Sequence, residues 1–340
     1  MSERRRILVV GPSWVGDMVM AQSLFITLQQ QGDVQIDVLA PAWSLPILQR
    51  MPQVHQGIAM PLGHGQLGLR TRWQLGRQLA RSGYQQAIVL PGSLKSALVP
   101  WFAGIPQRTG FTGEQRYGLL NDRRPLDKQA LPMTVQRFVA LGLPRSAAAS
   151  TAPEFPPPSL VADAANAARL RERLGLQDAR PAVAFMPGAE YGPAKQWPAP
   201  HFAQLARDLM ARGQQVWVLG SAKDRDIGQA IADSLAPEQA PQLHMLCGQT
   251  ELGDVVDLLS LCAGAVSNDS GLMHIAAALG IPLVAIYGSS DPRHTPPLSP
   301  SAKALSLNLP CAPCFERRCP LGHTRCLNEL LPQQVLQALP

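Results

Sequence analysis

The chain has 340 residues, 46% of them hydrophobic and 16% charged, with a formal net charge of +6. That is more chain than one core organises and too apolar a chain to stay disordered, so two globular domains of roughly 150 residues each are expected. No stretch approaches the ~18 uninterrupted apolar residues of a membrane span, and the apolar run behind Arg4-Arg5-Arg6 stops at Gly11-Pro12, too early for a secretion signal, so a cytoplasmic protein is expected.

The charge is divided unevenly. Residues 1–160 hold 16 Lys/Arg against 8 Asp/Glu, a net of +8, and residues 161–340 hold 14 against 16, a net of −2. A basic half suits a polyanionic partner; nucleic acid, anionic lipid and a phosphorylated sugar all qualify, as does a solvated basic surface with no partner.

Ile7-Leu8-Val9-Val10 has the unbroken apolar character of a buried parallel strand, and the turn Gly11–Asp17 leads from it into a helix striped by Met20, Leu24 and Leu28. The glycine spacing is that of a phosphate loop, yet Asp17 stands where such a loop needs lysine and would repel a phosphate, so its chemistry concerns another atom. Strand-and-turn units recur at Ile36–Pro41 and Ala87–Pro91. This alternation predicts a doubly wound α/β domain with ligands at the carboxyl ends of its strands, where Asp17, Pro91-Gly92-Ser93 and Lys95 fall.

Residues 144–160, with Pro156-Pro157-Pro158, have the composition of a linker. The alternation then restarts at Ala182–Met186 and continues through Val216–Leu219 to Ala263–Val266. From the first of these strands leaves the loop Pro187–Pro198, which carries Gly188, Glu190, Gly192 and Lys195. After Val266 comes Ser267-Asn268-Asp269-Ser270-Gly271-Leu272-Met273-His274, the mouth of a crossover helix. Short polar side chains and a glycine at a helix start attract anions, because unpaired N–H groups and aligned peptide dipoles both favour negative charge. An ordinary capped αβ connection would look the same. His274, one turn inside, adds a titratable group on the face of Asp269 and Gly271.

Asp224-Arg225-Asp226 matches the DxD pattern of some metal-dependent transferases, and reads equally as an acidic helix start. Cys311, Cys314, Cys319 and Cys326 fall within sixteen residues with His323 among them. Cytoplasmic thiols stay reduced, so the cluster suggests a structural zinc site, although its spacing is looser than paired CxxC knuckles and reduced, unliganded thiols remain the alternative. Cys247 and Cys262, in apolar surroundings, read as core.

In order along the chain, Gly11–Met18, Ala40–Trp43, Met60–Gly65, Arg116–Asp122, Pro187–Lys195 and Asn268–His274 resemble the corresponding blocks of the ADP-heptose:lipopolysaccharide heptosyltransferases, glycosyltransferase family 9. The resemblance implies an α/β chain of GT-B fold: two Rossmann-like doubly wound domains facing a central cleft, residues 1–160 for the acceptor and 161–340 for the nucleotide-sugar. It implies inverting, metal-independent transfer of heptose from ADP-L-glycero-β-D-manno-heptose to the first heptose of a lipid A-Kdo2-heptose acceptor, at the cytoplasmic face of the inner membrane. Carried over by position, Asp17 matches the catalytic base and Lys195 a lysine on the donor phosphates. Gly188 and Glu190 lie in the same donor loop, and Asp269, Ser270, Gly271 and His274 match the donor signature, where relatives often have threonine in place of Ser270. The acceptor's phosphates and Kdo carboxylates make Arg108, Arg116, Arg123 and Arg124 candidates to hold it.

Other readings stay open: a sister heptosyltransferase with the same donor and another acceptor, or a non-hydrolysing sugar-nucleotide epimerase. A nucleic-acid module is disfavoured by the 5% aromatic content, which is thin for base stacking.

Overall fold

The computed structural model describes residues 4–63, 65–145, 152–176 and 179–339. His64 and the Ala/Ser run of the linker, 146–151, lie outside them. The chain divides into two compact units, Met1–Pro158 and Ser159–Pro340, where the sequence suggested a division after residue 160.

In the first unit the order is β1 (Arg5–Val10), α1 (Val15–Gln30), β2 (Val34–Pro41), α2 (Leu45–Leu48), β3 (Val54–Met60), α3 (Leu69–Leu79), β4 (Gln86–Val89), α4 (Leu98–Phe102), β5 (Gln107–Phe111), β6 (Asp122–Arg124) and α5 (Thr134–Gly142). All six strands are parallel, in the order β3-β2-β1-β4-β5-β6. Ile7, Leu8 and Val9 are fully buried because a strand covered on both faces has no polar side. Leu8, Val10, Leu39 and Val89 pack with Leu79 of α3 and Ala97 and Val99 at α4. The alternate residues face α1, where a Cβ on Gly11 would meet Met18 Cε at 2.7 Å and Val38 Cγ1 at 3.3 Å.

One acid sits inside this core. Asp37 of β2 is fully buried and accepts from Tyr84 Oη at 2.6 Å and Gln56 Nε2 at 3.0 Å, with His55 Nδ1 at 2.9 Å, so its charge is matched by donors as a buried carboxylate requires.

The second unit runs α6 (Ala164–Arg173), β7 (Ala182–Met186), α7 (Ala199–Ala211), β8 (Gln215–Val218), α8 (Arg225–Ala232), β9 (Leu243–Met245), α9 (Leu252–Leu259), β10 (Gly264–Asn268), α10 (Gly271–Ala278), β11 (Leu283–Ile286), β12 (Ala302–Leu305), α11 (Arg325–Asn328) and α12 (Pro332–Ala338). Its parallel sheet reads β9-β8-β7-β10-β11-β12, which repeats the first sheet's winding strand for strand. Chain direction across each sheet therefore reverses at one place, between β1 and β4 and between β7 and β10, where doubly wound folds bind their ligands. Val183, Phe185, Val216, Val218, Val266 and Ile286 form the second core with Trp197, Phe202 and Leu209. No helix among the described residues is long and apolar enough to cross a membrane.

Candidate functional site

At the reversal point of the second sheet three loops meet: the one after β7, the start of α10, and Gly288-Ser289-Ser290 after β11. Asn268 ties the first to the second. Its Nδ2 donates to Pro187 O at 2.6 Å and its Oδ1 accepts from Trp197 N at 3.0 Å, so one side chain holds both ends of the lysine loop. Trp197 is fully buried, with its indole N–H on Leu330 O at 2.8 Å and its ring edge-on to Phe202 at 4.8 Å. Lys195 lies two residues before this anchor and is positioned by it.

Lys195 Nζ is 2.5 Å from Asp269 Oδ2, and Ser290 Oγ donates to the same oxygen at 2.5 Å. The side chains are 18% and 5% exposed, so water screens the ion pair weakly. The Tyr191 ring lies 5.1 Å from the ammonium. The lysine matched to the donor phosphates is thus already paired with a carboxylate. Asp269 is also not the helix cap: Ser270 is, with an extended backbone (φ −145°) and no side-chain hydrogen bond to the first turn, its hydroxyl lying 3.3 Å from Ser267 Oγ. The groups here that can receive an anion are therefore the ammonium and the α10 start, with Gly271 leaving the main chain uncovered. The carboxylate of Asp269 would repel a phosphate, and it fixes Lys195 and Ser290 instead.

His274 is 5% exposed, and burial pushes it down to about 4, with Lys195 adding to the shift and Asp269 opposing it. It is neutral at pH 7. Because an unfolded histidine titrates near 6.5, the unfolded chain binds more protons between the two values. The stability His274 contributes is present above about pH 6.5 and is lost, to the extent of ~3 kcal/mol, as pH falls towards 4. Urea midpoints recorded from pH 7.5 to 4 are expected to fall less steeply in His274→Gln than in the natural chain, and parallel curves would show that His274 carries none of the acid sensitivity.

The other residues singled out by sequence separate into those that structure keeps and those it reassigns. A Cβ at Gly188 would clash with the Asp224 carboxylate, which would have to shift to admit any larger residue. Asp224 Oδ2 accepts from Ser221 N and Oγ, both at 2.8 Å, and Asp226 lies in the first turn of α8, so the DxD motif is a helix start. Glu190 turns outward to Lys223 at 2.6 Å in an exposed pair, away from Lys195 and Asp269.

In the first unit, Asp17 is half-buried in the first turn of α1, beyond the carboxyl end of β1 and beside the reversal to β4. Three of the four candidate arginines are corrected. Arg116, 2% exposed, donates to Pro91 O at 2.8 Å and to Phe111 O. Arg108 donates to Leu119 O at 2.6 Å and Ile105 O at 2.5 Å. Arg124 holds Ala140 O at 2.5 Å and Asp122 Oδ2 at 2.9 Å. These guanidinium groups clamp backbone carbonyls inside the domain and have little left for an acceptor. Arg123 alone of the four is exposed, stacked 4.8 Å over Tyr117.

The cysteine-rich tail packs behind the lysine loop. Tyr191 Oη donates to Phe315 O at 2.7 Å, Phe315 N donates to Ser289 O at 2.7 Å, and a Cβ on Gly192 would meet Arg317 O at 2.5 Å. Cys311, Cys314, Cys319 and Cys326 line one small cavity with Ala194 and Ser289. Among the described residues no three His, Cys, Asp or Glu side chains are arranged to hold a metal ion. The four cysteines of the zinc expectation thus share one cavity, and none of them is in a disulfide. The backbone N–H of Thr324 and its neighbours pull Cys319 below the ordinary thiol value, whereas burial and then the other three thiols push Cys326 up. Burial lifts Cys247 and Cys262 to about 12. Iodoacetamide at pH 7.5, read by peptide mass spectrometry, is expected to label Cys319 well before Cys326 and to leave Cys247 and Cys262 unlabelled until the chain unfolds; labelling of Cys326 first would contradict this.

Ser290 and the bridging role of Asn268 were not anticipated. The available signal was their place: polar residues at the carboxyl ends of apolar parallel strands.

Two Rossmann-like halves with the same winding, in one chain, form the α/β architecture of the GT-B glycosyltransferases. The family model for glycosyltransferase family 9 (heptosyltransferase) matches residues 72–325, and the chain belongs to that family. It is 48% identical over 339 residues to lipopolysaccharide heptosyltransferase 2 of Escherichia coli K12, covering 98% of this chain and 97% of that one. It is 47% identical, with the same coverage, to lipopolysaccharide heptosyltransferase 2 of Salmonella typhimurium LT2. The solved structure of the E. coli ADP-heptose lipopolysaccharide heptosyltransferase II superposes with a TM-score of 0.88 at 46% identity, covering 98% of this chain and 97% of that one.

Proposed function

We propose that this chain transfers heptose from ADP-L-glycero-β-D-manno-heptose to the first heptose of a lipid A-Kdo2-heptose acceptor in the lipopolysaccharide inner core. The observation that carries this reading is the 48% identity, along nearly the whole of both chains, to a lipopolysaccharide heptosyltransferase 2. The second unit is assigned the donor, with Lys195 and the α10 start receiving its diphosphate. The first unit is assigned the acceptor, which is presented at the cytoplasmic face of the inner membrane.

The chemistry proposed is inverting and free of a catalytic metal. Asp17 takes the proton from the acceptor hydroxyl as that oxygen bonds to the anomeric carbon, and the bond from that carbon to the diphosphate breaks on the opposite face. The charge that develops on ADP meets the Lys195 ammonium and the α10 N–H groups, which are already in place. Gly188 keeps the donor loop close to Asp224, and neutral His274 adds no second positive charge beneath it.

ADP release, measured with ADP-heptose and acceptors ending either in Kdo or in the first heptose, tests the reading. Turnover on the heptose-ended acceptor is expected. Turnover on the Kdo-ended acceptor alone would shift the assignment to a sister heptosyltransferase, and conversion of the sugar nucleotide without any acceptor would make it an epimerase.

A further inference from the structure

Between Asp37 and Glu114 the chain contains no acidic residue at all, while Arg50, Arg70, Arg72, Arg77, Arg81, Lys95 and Arg108 fall within that stretch. Most of the first unit's excess charge is thus uncompensated over a continuous segment from β2 to β5. Within it α3 turns its two sides to different tasks. Leu75 and Leu79 pack on the sheet, and Arg72 is buried with its guanidinium on Leu67 O at 2.6 Å. Arg70, Trp73, Arg77 and, just past the helix end, Arg81 follow one another at intervals of three and four residues, and all are exposed. They form one outward stripe.

The neighbouring helix carries a second exposed tryptophan. Gly76 lets α3 approach α4 closely, since a Cβ there would meet Phe102 Cβ at 2.5 Å. Trp73 lies one turn before that contact, and the Trp101 ring packs tilted against that of its neighbour Phe102, centroids 5.0 Å apart. Trp73 is 49% and Trp101 45% exposed, and Leu67 and Leu69, at the head of α3, are each 53% exposed. Tryptophans and leucines left in water beside arginines, with no carboxylate in the surrounding sequence, match an interface that is apolar below and anionic above.

We infer that the outer face of α3 and α4 docks the first unit onto an anionic lipid bilayer, with Trp73, Trp101, Leu67 and Leu69 entering the headgroup layer and Arg70, Arg77 and Arg81 meeting lipid phosphates. Indole rings partition to that layer because one edge is polar and the rest apolar, and arginines gain from its negative surface potential. Nucleic acid fits the charge but not the leucines, which offer nothing to a phosphate backbone. The inference goes beyond the donor and acceptor assigned above and needs neither.

The test is co-sedimentation of the full chain with vesicles of 70:30 phosphatidylethanolamine and phosphatidylglycerol, against vesicles of phosphatidylcholine alone. Binding is expected only to the former. It should weaken by roughly a hundredfold or more when Arg70, Arg77 and Arg81 are together changed to glutamate, since each arginine lost costs about fivefold and each new carboxylate adds repulsion. Trp73→Ser with Trp101→Ser should weaken it comparably and abolish quenching of tryptophan fluorescence by brominated lipid. Melting temperatures identify any variant that fails to fold, and Arg225→Glu on the second unit serves as the charge control. Equal binding to both vesicles, equal binding by the α3 variants, or loss on Arg225→Glu alone overturns the inference. So does salt-sensitive RNA binding that the arginine variants abolish in a protein that ignores vesicles.

Discussion

Asp17→Asn is expected to cut turnover ~100-fold or more while leaving the KM for ADP-heptose within about twofold, because a general base contributes on that scale and asparagine cannot accept the proton. The substitution keeps the size of the side chain and a carbonyl oxygen in the first turn of α1. A carboxylate near a helix start stabilises it by only ~0.3–1 kcal/mol, so the variant should fold normally. A melting temperature equal to that of the natural chain then lets any loss of turnover be read as lost chemistry. Donor affinity is expected to persist because every residue assigned to the donor belongs to the other unit. Asp17→Glu is the informative companion, since it restores the base while displacing it by one methylene, and partial recovery is expected. The measurement is ADP release at saturating acceptor with donor varied. Undiminished turnover in Asp17→Asn would remove this residue from the reaction, whatever its neighbours do.

What could be read from the sequence followed from burial. A parallel strand covered on both sides must be apolar throughout, and Ile7–Val10, Ala182–Met186 and Gly264–Val266 announce themselves for that reason. Glycine turns after those strands mark the binding ends of the sheets just as directly. Contacts between loops far apart in sequence are invisible in a linear reading. Asn268 reaches Pro187 and Trp197, 81 and 71 positions away, and Ser290 finds Asp269 across 21. Nothing local to any of these residues distinguishes a bridge from a solvated polar side chain. The arginines failed differently. Arg108, Arg116 and Arg124 are charges by composition, yet each spends its donors on carbonyls within the fold, and charge counting cannot tell a clamp from a ligand site. Cysteine spacing marked out four residues that prove to line one cavity, but spacing along the chain does not give the distances between their sulfurs that decide whether an ion fits.

Lys195→Ala is expected to lower kcat/KM for ADP-heptose by ~100-fold, the scale of losing one preorganised charge from a group-transfer site. Stability separates that effect from mere collapse of the loop. Asp269→Asn leaves the ammonium, 18% exposed, without its counter-charge, and removing one partner of a mostly buried pair costs ~3 kcal/mol. Asp269→Asn combined with Lys195→Met removes both charges, so the penalty of an unmatched ion disappears. The double variant should recover most of the melting temperature lost by the Asp269 variant. Its activity should stay as low as that of Lys195→Ala, because the cation on the leaving diphosphate is still missing. Thermal melts and ADP-release kinetics on Asp269→Asn, Lys195→Met and the double close the cycle. If activity returned together with stability, the pair would be a strut that shapes the loop, and the charge of Lys195 would have no part in the transfer. If neither returned, the coupling through Asp269 would be wrong, because two neutral side chains of similar size would then have cost as much as one stranded ion.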